Sequence, residues 1–394
     1  MGKFCPGFLT AGISAGLKKD GKKDLGLIYC KAPASIAGVF TKNIVKAAPV
    51  IIDIEKIKNG YAQAVIINSK NANCCTGKKG MQNALEVIET LALRLQIDPS
   101  LIFISSTGVI GQPFPKEKIK SAIPKLIENL NDSNGKKLAE AIMTTDTVFK
   151  LASVSKKIND VSFTVSGAAK GAGMIHPDMA TMLCFVCTDI KAAPNQLQTI
   201  LNNAIANSFH KVTIDGDTST NDMVLLLANG DSGLSLNNKE VKKAFEKNLN
   251  DILLTLAKKI VKDGEGATKL IEIKVVGALT RDDAKKIADV IASSPLVKTA
   301  VFGEDANWGR ILAAAGRAGV NFDPNRIVLF FNDVMIMKNS QPCGEEAEKQ
   351  ASEIIKKDEF VILLDINMGG EASETVYTCD LSVDYVKINA DYRT

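Results

Sequence analysis

The sequence contains very few of the residues on which several common catalytic and metal sites depend. Only two of the 394 residues are histidine, His176 and His210, and only one is tryptophan. A zinc site built from three histidines is therefore excluded, and a serine or cysteine enzyme with a histidine base must use one of these two residues. Aromatic residues make up 5% of the chain, which is too few for a stacking surface that binds single-stranded nucleic acid.

Charge and hydropathy exclude further classes of protein. The net charge is +4, and the 48 Lys and Arg residues are spread along the chain rather than gathered in the basic stripe that a nucleic-acid surface needs. No apolar run approaches the roughly 18–20 residues of a membrane span. Residues 1–10 lack a signal-peptide pattern. We therefore expect a cytoplasmic protein with neither nucleic acid nor a membrane as partner.

The eight cysteines are expected to be free thiols, because a long chain without a secretion signal seldom relies on disulfides. Cys184 and Cys187 have the CxxC spacing of some metal and redox sites, but no second CxxC or histidine pair accompanies them. Their segment is predicted to be a strand, which places the two side chains on opposite faces. We expect neither a metal nor a cofactor.

Apolar patterning predicts a mixed α/β fold. Lys79–Leu95 and Lys239–Val261 carry apolar residues at the three- and four-residue spacing of amphipathic helices. Met182–Asp189 is a strongly apolar predicted strand, and Asp384–Ala390 is predicted to be the last strand. Helical stripes with strands between them favour α/β layering, whereas the regular alternation of a barrel or a doubly wound sheet is absent.

Four polar segments that contain glycine interrupt this pattern. They are Ser105–Gly111, Lys170–Thr181, Val212–Asp222 and Asp263–Thr268. The first is interpreted either as a simple turn after a strand or as a segment whose hydroxyl and glycine amide donate to a developing oxyanion. In the third, a tight turn is favoured over a calcium loop, because the EF-hand glutamate and flanking helices are missing. The fourth is interpreted as a glycine cap at the end of a helix. Glu265 would then lie at that helix end, where it could contact a cationic substrate group.

The segment Lys170–Thr181 is either a phosphate-binding loop or a strained loop that presents Thr181. It lacks the Gly-Lys-Ser/Thr sequence and the following helix of a P-loop. A threonine hydroxyl is a poor nucleophile without a base, and a free α-amino group, with a pKa of about 7.7–8.0, can act as that base. Attack of the Thr181 hydroxyl on the Ala180 carbonyl would create such a group. The residues alone leave both interpretations open.

Eight motifs spread over the whole chain occur together and in a fixed order. They are Asn71–Asn73 with Thr76–Gly77, Ser106–Gly111, Met143–Thr147, Lys170–Leu183, Asp215–Asp222, Asp263–Lys269, Gly303–Arg310 and Asn389–Thr394. Taken together they resemble the ornithine acetyltransferases of arginine biosynthesis, the glutamate N-acetyltransferase family. Any one motif could occur by chance, but the presence of all eight in this order makes the resemblance specific.

The resemblance implies a layered α-β-β-α-type sandwich of the kind found in self-cleaving aminopeptidases and ornithine acetyltransferases. It implies self-cleavage into an α chain, 1–180, and a β chain, 181–394, which assemble as a heterotetramer of two α and two β chains. The implied reaction moves the acetyl group of N2-acetyl-L-ornithine to L-glutamate through an acetyl-Thr181 intermediate. Some family members also make N-acetylglutamate from acetyl-CoA, so the use of that second donor stays open.

The resemblance also assigns site residues by position. Thr107 and Gly108 match the oxyanion pair. The implied substrate-binding residues are Thr144, Lys170, Thr181, Glu265, Asn389 and Thr394, with Thr145 as an alternative to its neighbour. His176 and Asp178 depart from the pattern of many members. His176 either helps to protonate the amine that leaves during cleavage or is a tolerated loop residue.

Two other functions remain as alternatives. A hydrolase related to the self-cleaving aminopeptidases would share the nucleophile and release acetate, because the nucleophile does not decide whether water or an amino acid accepts the acyl group. A binding protein with a degenerate site would stay uncut. The segments around Glu265 and the C-terminus favour the transferase.

Overall fold

The structure, a computed structural model, describes residues 4–176 and 182–391. The chain forms two compact units. The first comprises residues 1–210 and 217–260, and the second comprises residues 211–216 and 261–394. Within the described ranges, no helix combines the length and apolarity that a membrane crossing requires.

The first unit is built around a sheet of eight strands within the described residues. Its strands are β1 (Phe8–Ile13), β2 (Leu25–Phe40), β3 (Tyr61–Asn68), β4 (Ile102–Ser106), β5 (Lys150–Ile158), β6 (Val161–Lys170), β7 (Leu183–Thr188) and β8 (Met223–Ala228). Its helices are α1 (Ala48–Lys56), α2 (Gly77–Leu95), α3 (Lys116–Glu128), α4 (Gly135–Ile142), α5 (Pro194–Ala206) and α6 (Lys239–Lys262), whose last two residues belong to the second unit. The strand order is β4-β3-β2-β8-β7-β6-β5, and β1 pairs with β2.

The two most apolar strands lie in the middle of this sheet. Every residue of β7 and of β8 is buried, and the two strands run parallel to each other. Alternate residues of β3 join different core clusters, Val65 on one face and Ile66 on the other. Helices α2 and α3 pack on the Ile66 side. Because both faces are covered, the central strands read as continuous apolar runs rather than as alternating ones.

The second unit contains a six-stranded sheet with the order β12-β11-β10-β13-β9-β14 in its described part. The strands are β9 (Leu270–Ala278), β10 (Val328–Phe331), β11 (Val334–Lys338), β12 (Gln341–Pro342), β13 (Glu359–Asp365) and β14 (Ala372–Cys379). The helices are α7 (Arg281–Ala292), α8 (Pro295–Phe302), α9 (Trp308–Gly316), α10 (Glu345–Ile355) and α11 (Val383–Ala390). Side chains from β9, β13, α7 and α9 form one apolar core.

The predicted mixed α/β class, with two sheets, is confirmed. The predicted strand at Met182–Asp189 is β7, and burial raises the pKa of both of its thiols, Cys184 and Cys187. The predicted last strand at Asp384–Ala390 is wrong, because this segment forms helix α11. The Ser382 hydroxyl accepts a hydrogen bond from the Tyr385 amide and caps the helix. A serine at this position is a helix-start signal that apolar spacing does not register.

Candidate active site

The described structure contains six of the predicted site residues. The first unit contains Thr107, Gly108, Thr144 and Lys170, and the second contains Glu265 and Asn389. Ala180, Thr181, Asp178 and Thr394 lie outside the described residues. His176 is partly exposed, and residues 177–181, which follow it, lie outside the described part of the chain.

Lys170 lies where the ends of three neighbouring strands of the first unit meet. Lys170 ends β6 and lies opposite Leu183, the first residue of β7. On its other side, Leu183 lies opposite Met223, the first residue of β8. The chain after Thr181 therefore enters the sheet between Lys170 and the Asp222–Met223 segment. The sheet register fixes which side chains surround that point of entry.

Thr107 and Gly108 follow directly after β4. The Lys170 ammonium donates to the Thr107 hydroxyl oxygen over 3.3 Å, and Lys170 is 2% exposed. A hydroxyl that accepts in this way keeps its own proton to donate to another oxygen. Such a donor next to a buried cation suits the stabilisation of a developing oxyanion.

Gly108 occupies a position that other residues cannot adopt without displacing the backbone. Its φ is +134°, and a Cβ atom there would lie 2.1 Å from the carbonyl carbon of Lys70. The adjacent Val109 amide donates to the Lys70 carbonyl over 3.0 Å. The chain after β4 is thus held tightly against the turn after β3. This close approach is a physical reason for a glycine in the motif.

Asparagine side chains bind these two turns together. The Asn221 amide nitrogen donates to the Ala72 carbonyl at 2.6 Å and to the Ser106 carbonyl at 2.8 Å. Asn68 accepts from the Ser106 hydroxyl over 2.6 Å and donates to the Asn71 carbonyl over 2.9 Å. Sequence reasoning did not assign roles to Asn68 or Asn221. Asn221 lies inside a motif that the sequence analysis singled out.

Asp146 connects the Thr144 and Lys170 segments. Its carboxylate accepts from the Thr144 amide at 2.9 Å, the Gly171 amide at 2.7 Å and the Lys150 ammonium at 2.6 Å. Burial by itself raises the pKa of Asp146, but the charges of Lys170 and Lys150 outweigh that effect and lower the pKa to about 2. Asp146 is therefore an anion at neutral pH. It was missed because its bond to Gly171 joins segments 25 positions apart in the sequence.

Asp222 holds the backbone on the C-terminal side of Thr181. One carboxyl oxygen, Oδ1, accepts from the Met182 amide over 2.9 Å, and the Met223 amide donates to the Met182 carbonyl over 3.2 Å. Burial raises the pKa of Asp222 well above its usual range, against the opposing effects of the Met182 N–H and the Lys170 charge. Asp222 was not assigned a role from the sequence.

In the second unit, the structure brings Glu265 and Asn389 together. Asn389 lies on α11, and its amide nitrogen donates to the Glu265 carboxylate over 2.8 Å. Glu265 is 8% exposed. Gly266 has a φ of +68°, and a Cβ atom there would lie 2.6 Å from both the Ser382 hydroxyl and the Tyr385 amide nitrogen. The glycines of Asp263–Thr268 therefore let this segment approach the start of α11, as well as ending α6.

Comparison with known proteins connects these features to one family. The model of the ArgJ family matches residues 9–394. The arginine biosynthesis bifunctional protein ArgJ of Desulfotalea psychrophila is 48% identical over 98% of this chain and 99% of its own length. The protein of the same name from Syntrophotalea carbinolica is 49% identical over 98% of this chain and 99% of its own length.

A solved structure agrees with these relatives. The crystal structure of arginine biosynthesis bifunctional protein ArgJ from Bacillus halodurans is 39% identical in sequence, with a TM-score of 0.50. The alignment covers 52% of this chain and 97% of that chain.

Proposed function

The chain belongs to the ArgJ family, and from that premise we propose that Thr181 carries the acetyl group in its reaction. The protein is an acetyltransferase of arginine biosynthesis, with ornithine acetyltransferase and glutamate N-acetyltransferase activity. The observation that carries this conclusion is the match over residues 9–394, because it includes all the motifs around the proposed nucleophile.

The first proposed step is self-cleavage between Ala180 and Thr181. The Thr181 hydroxyl oxygen attacks the Ala180 carbonyl carbon, the amide C–N bond breaks, and the released amine takes up a proton. Water then hydrolyses the Ala180–Thr181 ester, which leaves a carboxylate on Ala180 and a free amino group on Thr181. The α chain is then 1–180, and the β chain is 181–394. Lys170 lies opposite Leu183 across β6 and β7, and Asp222 holds the Met182 amide, so the chain is anchored on both sides of the proposed break.

The second proposed step is a ping-pong acetyl transfer through Thr181. The hydroxyl oxygen attacks the acetyl carbonyl of N2-acetyl-L-ornithine, and the α-amino group takes the hydroxyl proton. The acetyl C–N bond then breaks, the proton passes to the leaving nitrogen, and ornithine departs. The amino group of L-glutamate next attacks the acetyl ester, which restores the Thr181 hydroxyl and releases N-acetyl-L-glutamate. Thr107 and Gly108 are proposed to stabilise the oxyanion of both tetrahedral intermediates.

The other predicted residues are proposed to bind substrate. Ornithine and glutamate share an α-carboxylate, so a site that accepts both is expected to bind their common backbone groups. The buried Lys170 ammonium and the Thr144 segment, fixed by Asp146, are suited to a carboxylate. In the second unit, Glu265 and Asn389 are proposed for substrate binding, as is Thr394 outside the described residues. No cofactor enters the proposal, because the substrate supplies the acetyl group and Thr181 supplies both the nucleophile and the base.

One pair of measurements tests the proposed function. We expect a denaturing gel of the 42.2 kDa protein to show two bands, and the intact Thr181→Ala variant to show one. We expect the wild type to move a labelled acetyl group from N2-acetyl-L-ornithine to L-glutamate. When glutamate is omitted, the label should stay on the β chain. Release of free acetate alone would indicate a hydrolase. A single wild-type band with no transfer would indicate a binding protein.

The relatives named above are bifunctional proteins of arginine biosynthesis, which supports a second acetyl donor. We propose that acetyl-CoA also acetylates Thr181, so that the same assay with labelled acetyl-CoA and glutamate yields N-acetylglutamate. The assembly proposed for the cleaved protein is a heterotetramer of two α and two β chains.

A further inference from the structure

Asp222 is a buried carboxyl group that the proposed reaction does not yet use. It is 1% exposed, and its Oδ1 atom accepts the Met182 amide over 2.9 Å. Its other oxygen, Oδ2, is buried and has no partner at hydrogen-bond distance among the described residues, although the Ser219 hydroxyl and amide lie close enough to favour the charged form of the carboxyl group. A buried carboxyl oxygen without a partner carries a desolvation cost, so we expect this oxygen to bind another polar group.

The covalent structure of the chain indicates which group lies within reach. Met182 directly follows Thr181, so the Met182 amide nitrogen and the Thr181 nitrogen are joined through three bonds of about 1.3–1.5 Å each. These nitrogens therefore lie within about 4 Å of each other in any backbone conformation. A carboxyl group whose Oδ1 accepts from the Met182 amide is therefore close enough for its Oδ2 to reach the Thr181 nitrogen.

We infer that Asp222 is a positioning residue for the nucleophile: it fixes the Met182 amide with Oδ1 and binds the free α-amino group of Thr181 with Oδ2. This inference rests on the proposed function of Thr181. The α-amino group is the base that takes the hydroxyl proton, and Asp222 orients that base and stabilises its ammonium form. A carboxylate performs the same task for the histidine of a Ser-His-Asp triad.

The charges around Asp222 are consistent with this role. Burial raises the pKa of Asp222 well above its usual range, whereas the Met182 N–H, the charge of Lys170 on β6, and the Ser219 hydroxyl and amide act to lower it. Beyond Lys170 lie Asp146 and Lys150, which pair with each other. A Thr181 ammonium formed beside Asp222 adds a second positive charge, which favours the carboxylate, and the carboxylate in turn raises the pKa of the amine.

The experiment compares the wild type with Asp222→Asn, which keeps an oxygen that can accept from Met182 but removes the negative charge. The pKa of the Thr181 amine is measured from the pH dependence of its reaction with an amine-acylating reagent, followed by the mass of the β-chain N-terminal peptide. We expect this pKa to fall by about one unit in the variant. The acid limb of kcat/KM moves to lower pH by a similar amount, kcat falls about ten-fold or more, and KM for N2-acetyl-L-ornithine stays within about three-fold.

Asp53→Asn is the matched control. Asp53 is 0% exposed, accepts the Ile104 amide over 3.2 Å, and has a pKa raised by burial, but it lies on α1 outside the proposed machinery. We expect it to leave the pKa of the Thr181 amine and the pH profile unchanged. Equal amine pKa values in Asp222→Asn and the wild type would overturn the inference, even with transfer intact.

Other outcomes separate the inference from the proposed function. If the wild type is cleaved but transfers no acetyl group, a lowered amine pKa in Asp222→Asn still supports the role of Asp222. An uncleaved wild type overturns both. If Asp222→Asn unfolds or stays uncleaved, the pKa of the Thr181 amine in the wild type is the deciding measurement. An amine pKa at or above the ordinary range of about 7.7–8.0 supports a carboxylate partner, and one more than about a unit below it contradicts that partner.

Discussion

At the residue scale, Asp146 and Lys150 form a buried ion pair in the candidate site, and removing either charge would leave the other buried without its partner. Both side chains are 0% exposed, and their charged atoms are 2.6 Å apart. We expect Asp146→Asn to lower the free energy of unfolding at pH 7 by about 3–5 kcal/mol, because the Lys150 ammonium stays buried without this carboxylate. Urea unfolding measures the difference. The double variant Asp146→Asn/Lys150→Met is the control and should recover part of the loss.

The pH dependence of the same comparison follows from the pKa of Asp146. Burial acts to raise this pKa, but the charges of Lys170 and Lys150 lower it from 3.8 to about 2 in the folded protein. A lowered folded pKa stabilises the protein fully above the unfolded value, and this contribution is lost as the pH falls through about 2. The stability advantage of the wild type over Asp146→Asn should therefore shrink by about 2 kcal/mol between pH 5 and pH 2. A constant difference would contradict the assignment of this charge.

The sequence contained Asp146 within one of its motifs, yet the role of the residue could not be read there. The carboxylate accepts from the Gly171 amide, which is 25 positions away and directly follows β6, and from Lys150, the first residue of β5. Asp222 was hidden for the same reason, since Asp222 directly precedes β8 and its partner Met182 directly precedes β7. Contacts between strands depend on their register, which local residue patterns do not specify.

At the element scale, the tight contact between the chain after β4 and the turn after β3 makes a prediction about Gly108. A Cβ at this position would lie 2.1 Å from the Lys70 carbonyl carbon, at a φ of +134°. We expect Gly108→Ala to displace Thr107 and to lower kcat for acetyl transfer about 100-fold, the effect of losing one oxyanion donor. Steady-state kinetics with both substrates provide the measurement.

Gly111→Ala is the matched control for this strand end. Gly111 also has a positive φ, of +80°, but nothing lies within 4 Å of a Cβ atom placed there. We expect it to cost about 1–2 kcal/mol of stability through backbone strain alone and to keep kcat close to that of the wild type. Equal losses of kcat in the two variants would show that positive φ, rather than close approach, explains the Gly108 effect.

Elements with a long continuous pattern were the ones that apolar spacing predicted correctly. The α2 stripe and the apolar β7 run are examples, because each buries one face or both faces over many residues. Helix α1 was not predicted, although Pro49 in its first turn is a helix-start signal. Helix α11 was predicted as a strand, since exposed apolar residues such as Val383 and Val386 give it no clear apolar face. Short elements depend on caps and on tertiary packing more than on spacing.

At the scale of the whole molecule, the strand order gives the proposed cleavage a structural consequence. The bond between Ala180 and Thr181 lies between β6 and β7 along the chain, and β7 and β8 pair between β2 and β6 in the sheet. The proposed β chain therefore contributes two central strands to a sheet whose other described strands belong to the α chain. The sequence pattern predicted β7 as an apolar strand but not this order, because strand pairing joins residues that are far apart in sequence.

We therefore expect cleavage to leave the two chains associated. Separating them would expose strand edges of β2 and β6, together with the apolar faces of β7 and β8, which are buried at every position. Native size-exclusion chromatography of the wild type should give one peak containing both chains, at the same volume as the uncleaved Thr181→Ala variant, whereas urea should separate them. The α chain expressed alone, 1–180, should be insoluble because it lacks the two central strands. A soluble, folded α chain, or loss of either chain on native dilution, would contradict this sheet order.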